Sequence, residues 1–219
     1  MDPQQRLLLE HGYAALHGAQ LPRMELLGSN AGVYLGYSSN DFAVFLASSP
    51  LGKSVYSATG SAGPIASGRL SYVLGLQGPC AMIDTACSAG LVATSFARGA
   101  LVLRECEPAA VMAVNLILSP DGAHTPFAIA GMTSPHGKCH TFDTRADGYS
   151  RAEACGATVL RTAAGEGAVL ASLEGAAVRC DGKSASLTAP NGQAQRAVIA
   201  AALTVSGACL LYTSPSPRD

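Results

Sequence analysis

Hydrophobic and polar positions change rhythm several times along this chain. Near its start Leu7, Leu8, Ala14 and Ala15 mark one apolar stripe at helical spacing, which predicts a helix with that stripe buried. Its beginning is explicit. Asp2 can cap, Pro3 suits the first helical position, and Gln5 follows the cap by three residues in a capping-box-like arrangement. Ala31 to Tyr37 alternates small and large residues and predicts a strand. Residues 61 to 75 are expected to be helical and buried through Ile65, Leu70 and Val73, with Arg69 as the odd charge. Gly75-Leu76-Gln77-Gly78-Pro79 then breaks the helix and feeds a short apolar run, Cys80 to Ile83. Beyond it Val92, Phe96, Ala100 and Leu103 recur at helical spacing until Arg104-Glu105.

Ala109 to Leu118 is apolar without alternation, as expected of a strand covered on both faces of a parallel sheet. Strand, helix and strand in this order form a βαβ unit. Residues 119 to 150 are loop-rich. Ala157 to Arg161 and Ala168 to Leu173 flank Ala163-Ala164-Gly165-Glu166-Gly167 and predict a hairpin. A polar loop over 181 to 192 leads to a last helix from Gln193 to Val205, and no fixed-period repeat is visible.

Composition narrows the class. With 219 residues the chain holds one large domain, or one and a part, at roughly 150 residues per domain. Apolar residues make up 48% and charged residues 13%, with mean hydropathy +0.25. So low a charge content, against about 25% in ordinary domains, points to a large assembly or a core cut open by truncation. A net charge of -1, from 14 basic and 15 acidic residues, provides no electrostatic case for nucleic acid. No stretch reaches the ~18 apolar residues of a membrane span, and Met1 to Gln5 is neither basic nor apolar, unlike a secretory signal. Seven cysteines without regular spacing do not form a disulfide framework, so a reducing compartment, cytoplasmic or organellar, is expected. Cys80, Cys106, Cys155 and Cys180 lie among small apolar residues, as buried inert thiols do.

Cys87 differs. The run from Cys80 to Ile83 passes through Asp84-Thr85-Ala86 to Cys87, and a helical pattern begins at once. Strand, sharp turn and helix in that order put Cys87 on an elbow at a helix N-terminus. The backbone N–H groups and the positive end of the helix dipole at such a place favour a thiolate over a thiol. They can also hold an oxyanion developing on an attacked carbonyl. The residues therefore point to a cysteine nucleophile for acyl chemistry.

Asp84-Thr85-Ala86-Cys87-Ser88 with Leu91 resembles the Asp-Thr-Ala-Cys-Ser-Ser-Ser-Leu motif of β-ketoacyl synthases, the ketosynthase domains of polyketide and fatty acid synthases. Ala89 and Gly90 stand where that family usually has serines. The resemblance extends beyond one motif. Met1 to Glu10 is similar to an internal ketosynthase helix. Phe142-Asp143, Ala146-Asp147-Gly148-Tyr149, Arg151 and Glu153 match the Phe-Asp-x-x-Ala-Asp-Gly-Tyr-x-Arg-x-Glu block downstream of the cysteine. Asp181-Gly182-Lys183-Ser184, Thr188-Ala189-Pro190-Asn191-Gly192 and Gln195 match a later loop and helix start.

The resemblance implies a thiolase-like layered α/β/α/β/α fold, incomplete here, with residues 1 to 208 as a partial ketosynthase domain. It also implies an acyltransferase in which Cys87 is the catalytic residue and carries an acyl group as a thioester. Malonyl-carrier protein then condenses with that group by a decarboxylative Claisen reaction. The implied partners are an acyl carrier protein, acyl and malonyl thioesters, and a second subunit in a homodimer. No cofactor is held by the chain itself, since phosphopantetheine belongs to the carrier protein. The family's two histidines stand in His-Gly-Thr-Gly-Thr and Asn-x-Gly-His contexts. His11, His17, His124, His136 and His140 are in neither, so an internal and inactive fragment is expected. A non-catalytic ketosynthase-like scaffold or chain-length partner is the alternative, although such partners generally lose the cysteine. A cysteine hydrolase would need glycines where Thr85 and Ala89 stand.

Other patterns carry less. His136-x-x-Cys139-His140 lacks a paired ligand spacing elsewhere, so no metal site is expected. Asp143 to Gly148 superficially suggests a calcium loop, but Arg145 and Ala154 occupy its third and twelfth positions. Asp143, Asp147, Arg151 and Glu153 are expected to form a charge network that orders a loop beneath the active site. The glycines between 60 and 68 lack a phosphate-binding pattern. Cys209 to Asp219, with two Ser-Pro pairs, is expected to be an unstructured tail foreign to the domain.

Overall fold

A computed structural model of the chain describes residues 1–38, 41–119, 124–162 and 169–208. The expected tail over 209–219 lies outside these residues. The chain divides into two compact units, 1–165 and 166–219.

In the first unit, four strands form one sheet among the described residues, in the order β2-β1-β3-β4. They are β1 (Gly32–Tyr37), β2 (Cys80–Ile83), β3 (Ala109–Asn115) and β4 (Ala154–Leu160). β1 runs parallel to both β2 and β3, so β2, the following helix and β3 make the expected βαβ crossover, spanning β1. β4 pairs antiparallel with β3, from Ala109 opposite Leu160 to Asn115 opposite Ala154. The expected hairpin is therefore only half realised. Residues 169–173 form no strand, and the polypeptide before them is outside the described residues. The ladder that β4 needs is supplied by β3 instead.

Alternation along the strands divides two cores. Val33, Leu35 and Tyr37 of β1, with Ala110, Met112 and Val114 of β3, face helices α1 (Pro3–Gly18) and α5 (Gly63–Leu74). Tyr34, Val111 and Ile83 face α6 (Ala89–Val102) on the other side. A sheet covered on both faces explains the unbroken apolar run of β3. Short helices α2 (Arg23–Leu26), α3 (Asp41–Ala47), α4 (Ser57–Ser61) and α7 (Thr125–Ile129) fill the connections.

The buried faces of the helices differ from the predicted stripes. On α1 the buried residues are Gln4, Gln5, Leu8, Gly12 and Leu16, not Leu7, Ala14 and Ala15. Two glutamines are tolerated inside because each is hydrogen-bonded. Gln4 Nε2 donates to Tyr37 Oη at 3.1 Å, and Gln4 Oε1 accepts from Leu116 N at 3.1 Å. Tyr37 Oη in turn donates to Asp2 Oδ2 at 2.8 Å. Asp2 caps the helix by accepting from Gln4 N at 2.8 Å. Gln5 does not close a capping box. Its amide donates to the carbonyls of Thr59 and Ala62, and its oxygen accepts from Arg69 Nε at 3.0 Å. Arg69, the odd charge of α5, thus has a definite place. Ile65 and Val73 of that helix are 39% and 46% exposed, and Ala66, Ser67, Leu70 and Leu74 form its buried face. On α6 the buried stripe is Ala89, Val92, Ala93, Ala97, Ala100 and Leu101, while Phe96 and Leu103 face outward. Cys106 is buried and Cys155 half-buried as expected, but Cys80 and Cys180 are exposed.

Four buried or half-buried groups hold their protons more tightly when folded. Burial, then Cys106 nearby, pushes the Tyr34 phenol up to about 12. Burial and the hydrogen bond to Asp2 push Tyr37 up as well. Burial also raises the Cys106 and Cys155 thiols. In the unfolded chain the same groups release protons from about pH 8.5 for thiols and 10 for phenols, so there the unfolded state binds fewer protons and stability must fall. Urea midpoints are expected to be level near pH 8 and to decline progressively towards pH 12. Tyr34→Phe should flatten that decline above about pH 10. An equal slope in the variant would exclude Tyr34 as a contributor.

In the second unit, α8 (Gly192–Ser206) is the one regular element among the described residues. Asn191 caps it, accepting from Gln193 N at 3.0 Å and Ala194 N at 3.3 Å. Asp181 Oδ2 holds the cap residue by accepting from Asn191 N at 2.9 Å. This accounts for the paired Asp181-Gly182 and Asn191-Gly192 blocks read from the sequence.

Candidate active site

Parallel strands put their carboxyl ends on one edge of a sheet, and the connections leaving that edge are where α/β folds place their chemistry. β2 ends there at Ile83 and turns through Asp84 and Thr85. A single 3₁₀ turn (Ala86–Ser88) then runs straight into α6. Cys87 is on that turn, one residue ahead of the Ser88 cap of α6, and it is exposed. The predicted elbow is present.

Its geometry is set by five hydrogen bonds. Asp84 Oδ1 accepts from Ala86 N at 3.0 Å. Ser88 Oγ donates to the Thr85 carbonyl at 2.8 Å and lies 2.9 Å from Thr85 Oγ1. Ser88 N donates to the Thr85 carbonyl at 3.3 Å. Ala86, rather than Cys87, carries the unusual backbone, with φ of +53°. The Ala89 N–H closes onto the Ala86 carbonyl. The N–H groups of residues 86, 88 and 89 are therefore occupied. That of Cys87 has no acceptor among the described residues, leaving a donor beside the thiol.

Small residues bring the elbow down onto the sheet. Gly36 of β1 is in register with Ile83 of β2 and Ala113 of β3. A Cβ on Gly36 would lie 2.6 Å from the Ala89 carbonyl carbon and 2.6 Å from Gly90 N. A Cβ on Gly90 would meet that of Ala113 at 3.1 Å. The first turn of α6 thus rests with its backbone directly against two strands. Glycine at 90, where the family usually has a serine, gives this contact its closeness.

The downstream block forms a loop rather than a second catalytic group. Tyr149 and Thr133 bridge, with Tyr149 N donating to the Met132 carbonyl and Ser134 N to the Tyr149 carbonyl. Gly148, at φ +134°, sits where a Cβ would strike Ser134 N and the Thr133 carbonyl carbon at 2.5 Å. Among the described residues the expected single charge network does not form. Arg145 pairs with Asp143 at 2.7 Å, and His136 approaches Asp147 at 3.9 Å. Arg151 lies over the Phe127 ring of α7, 4.6 Å from its centroid. Glu153 accepts from Ile117 N at 2.7 Å, tying β4 to the end of β3. Asp143 and Arg145 thus serve each other, Arg151 a ring and Glu153 the backbone. The Arg145 guanidinium holds the Asp143 carboxyl below its usual range.

Cys139 Sγ accepts from Ser150 N at 3.1 Å. His136, Cys139 and His140 do not gather, and the described residues contain no group of three His, Cys, Asp or Glu able to hold a metal. Nor does any described helix have the length and apolarity to cross a membrane. His11 and His17 lie exposed on α1, on the sheet face opposite α6.

The model for the β-ketoacyl synthase N-terminal domain matches residues 1–165, the whole first unit. The chain belongs to the β-ketoacyl synthase family. It is 43% identical over 212 residues to one phenolphthiocerol/phthiocerol polyketide synthase polypeptide of Mycobacterium tuberculosis, covering 94% of this chain and 10% of the relative. Another polypeptide of the phenolphthiocerol/phthiocerol polyketide synthase in that organism is 45% identical over 209 residues, covering 93% and 13%. Among solved structures, the ketosynthase from module 6 of the bacillaene synthase of Bacillus subtilis 168 superposes with a TM-score of 0.86 at 36% identity. An oxazolomycin ketosynthase domain of Streptomyces albus JA3453 gives 0.88 at 30%. These cover 94% and 95% of this chain but 36% and 38% of theirs, so the chain spans little over a third of each solved ketosynthase. The layered α/β arrangement is that of the thiolase-like fold.

Proposed function

We propose that the protein of which this ketosynthase sequence forms part is a polyketide synthase. In this reading Cys87 receives the growing acyl chain from an acyl carrier protein and condenses it with a malonyl unit. The observation that carries it is the exposed Cys87 on a strand–turn–helix elbow, next to its own N–H, which has no acceptor among the described residues. In loading, the Cys87 sulfur attacks the thioester carbonyl carbon. A new S–acyl bond forms and the carrier's phosphopantetheine thiolate leaves, taking up a proton. The Cys87 N–H points a fixed dipole at the oxygen on which charge builds. In condensation the malonyl C–C bond breaks and carbon dioxide departs. The electron pair of the broken bond stays on the malonyl α-carbon, which attacks the acyl carbon, and the Cys87 sulfur is the leaving group. Splitting the transfer into two steps is what a covalent nucleophile contributes. The names of the relatives favour polyketide over fatty acid assembly, and a homodimeric whole enzyme fits the same reading.

Loading is testable on this chain. With an acyl N-acetylcysteamine thioester, peptide mass mapping is expected to show the acyl group on Cys87 ahead of the other exposed thiols. Cys87→Ala should remove that adduct. Equal labelling of Cys87 and Cys180 would refute the assignment.

A further inference from the structure

We propose that Asp84 is a positioning residue for the acyl-transfer step, acting by holding Ala86 in its left-handed conformation. The inference rests on the reading of Cys87 as nucleophile. It starts from a conflict within the elbow. Ala86 has φ of +53°, a region that disfavours an alanine by a factor of roughly 5 to 30 and that glycine enters freely. Something must stabilise the turn. The Ala86 carbonyl accepts from the Ala89 N–H on its C-terminal side, and on its N-terminal side its own N–H donates to Asp84 Oδ1 at 3.0 Å. The Thr85–Ser88 bonds close the turn around Ala86 but do not engage its own N–H, which Asp84 alone holds among the described residues.

The consequence falls on Cys87. The peptide unit between residues 86 and 87 contains the Cys87 N–H. Rotation about the Ala86 backbone therefore swings that N–H away from the thiol's reaction partner. Sheet packing fixes the far side of the turn, because Gly36 admits the Ala89–Gly90 backbone at van der Waals contact. The elbow is thus clamped at residue 89 by packing and at residue 86 by Asp84, with the nucleophile between. Asp84 itself is exposed and need not touch substrate in this role.

Two reactions of the same thiol separate positioning from simple exposure. Acylation by an N-acetylcysteamine thioester builds an oxyanion and needs the N–H in place. Alkylation by iodoacetamide displaces iodide and builds none. In the 219-residue chain, Asp84→Ala is expected to slow Cys87 acylation about tenfold, the order of one hydrogen bond to a charged group, while alkylation changes less than about threefold. Asp84→Asn keeps an acceptor oxygen at the same reach and should stay within about twofold of the parent. Asp84→Glu keeps the charge but displaces the acceptor, and should resemble Asp84→Ala. The decisive variant is Asp84→Ala with Ala86→Gly. Glycine removes the conformational conflict, so acylation should recover most of the tenfold loss.

Acylation of Asp84→Ala at the parent rate would overturn the proposal. So would failure of Ala86→Gly to rescue, or a loss in Asp84→Asn as large as in Asp84→Ala, since charge would then be the cause. Acylation of the parent no faster at Cys87 than at Cys180 would instead defeat the nucleophile assignment, a separate outcome. Thermal midpoints of all variants show whether the fold is retained. A tenfold acylation loss accompanied by an equal loss in alkylation would point to a less nucleophilic sulfur, not a displaced N–H, and overturn the positioning role.

Discussion

Given an acyl thioester and malonyl-carrier protein, the 219-residue chain is expected to acylate Cys87 yet release no β-ketoacyl product. Loading requires a nucleophile and a donor at the developing oxyanion, the roles proposed above for Cys87 and its N–H. Condensation further requires that charge be stabilised on the malonyl thioester oxygen while carbon dioxide departs. The resemblance assigns that task to histidines in two motifs, and none of the five histidines here stands in either. His11 and His17 are exposed on α1, across the sheet from α6. His124 precedes α7, and His136 faces Asp147. Removing one such stabilising group typically costs a hundredfold or more, so the loss of two is expected to exceed about ten-thousandfold. Chromatography with mass detection of the product decides it. Product formed at the rate of an intact ketosynthase would mean that the donors lie within these 219 residues after all.

Much of this was legible in the chain. The order of apolar run, Asp84-Thr85-Ala86 and helical pattern located Cys87 because a strand and a helix have different periods, and the turn between them has few residues to spend. Strands β1, β2 and β3 were equally visible, being short apolar segments bounded by glycine and proline. What escaped was set by partners distant in sequence. The inward face of α1 carries Gln4 and Gln5, which apolar periodicity discards. They are buried because Tyr37, Leu116, Thr59 and Ala62 satisfy them. The buried stripe of α6 is mostly alanine, so weighting by size selected Phe96 and Leu103, which face outward. The second arm of the expected hairpin failed because β4 found its ladder on β3. The acidic and basic residues of 143 to 153 resemble a network when read along the sequence. In space Asp143 and Arg145 pair with each other, Arg151 covers the Phe127 ring and Glu153 holds the Ile117 N–H. Asp84 looked like part of a motif, and only its bond to a left-handed Ala86 exposed a task for it.

Gly36→Ala is expected to be among the most damaging single-methyl additions to this chain. Gly36 lies on the middle of three parallel strands, and the Cβ it lacks would be 2.6 Å from backbone atoms of Ala89 and Gly90. A side chain can rotate out of the way, but the first turn of a helix cannot move without carrying its neighbours. Overpacking of a close-packed interior typically costs about 1–3 kcal/mol, and with backbone on the far side the upper end of about 3 kcal/mol is expected. Because the displaced turn follows directly on the one that bears Cys87, acylation of Cys87 should fall along with stability. Gly99→Ala offers the comparison. It adds the same methyl to α6 where nothing lies within 4 Å, and there a helix-interior alanine should stabilise by roughly 0.5–1 kcal/mol. Urea denaturation is expected to lower the midpoint for Gly36→Ala and raise it for Gly99→Ala, with the slope unchanged in both. A Gly36→Ala protein as stable and as readily acylated as the parent would show that the elbow does not rest on β1, and the placement of the nucleophile would have to be drawn again.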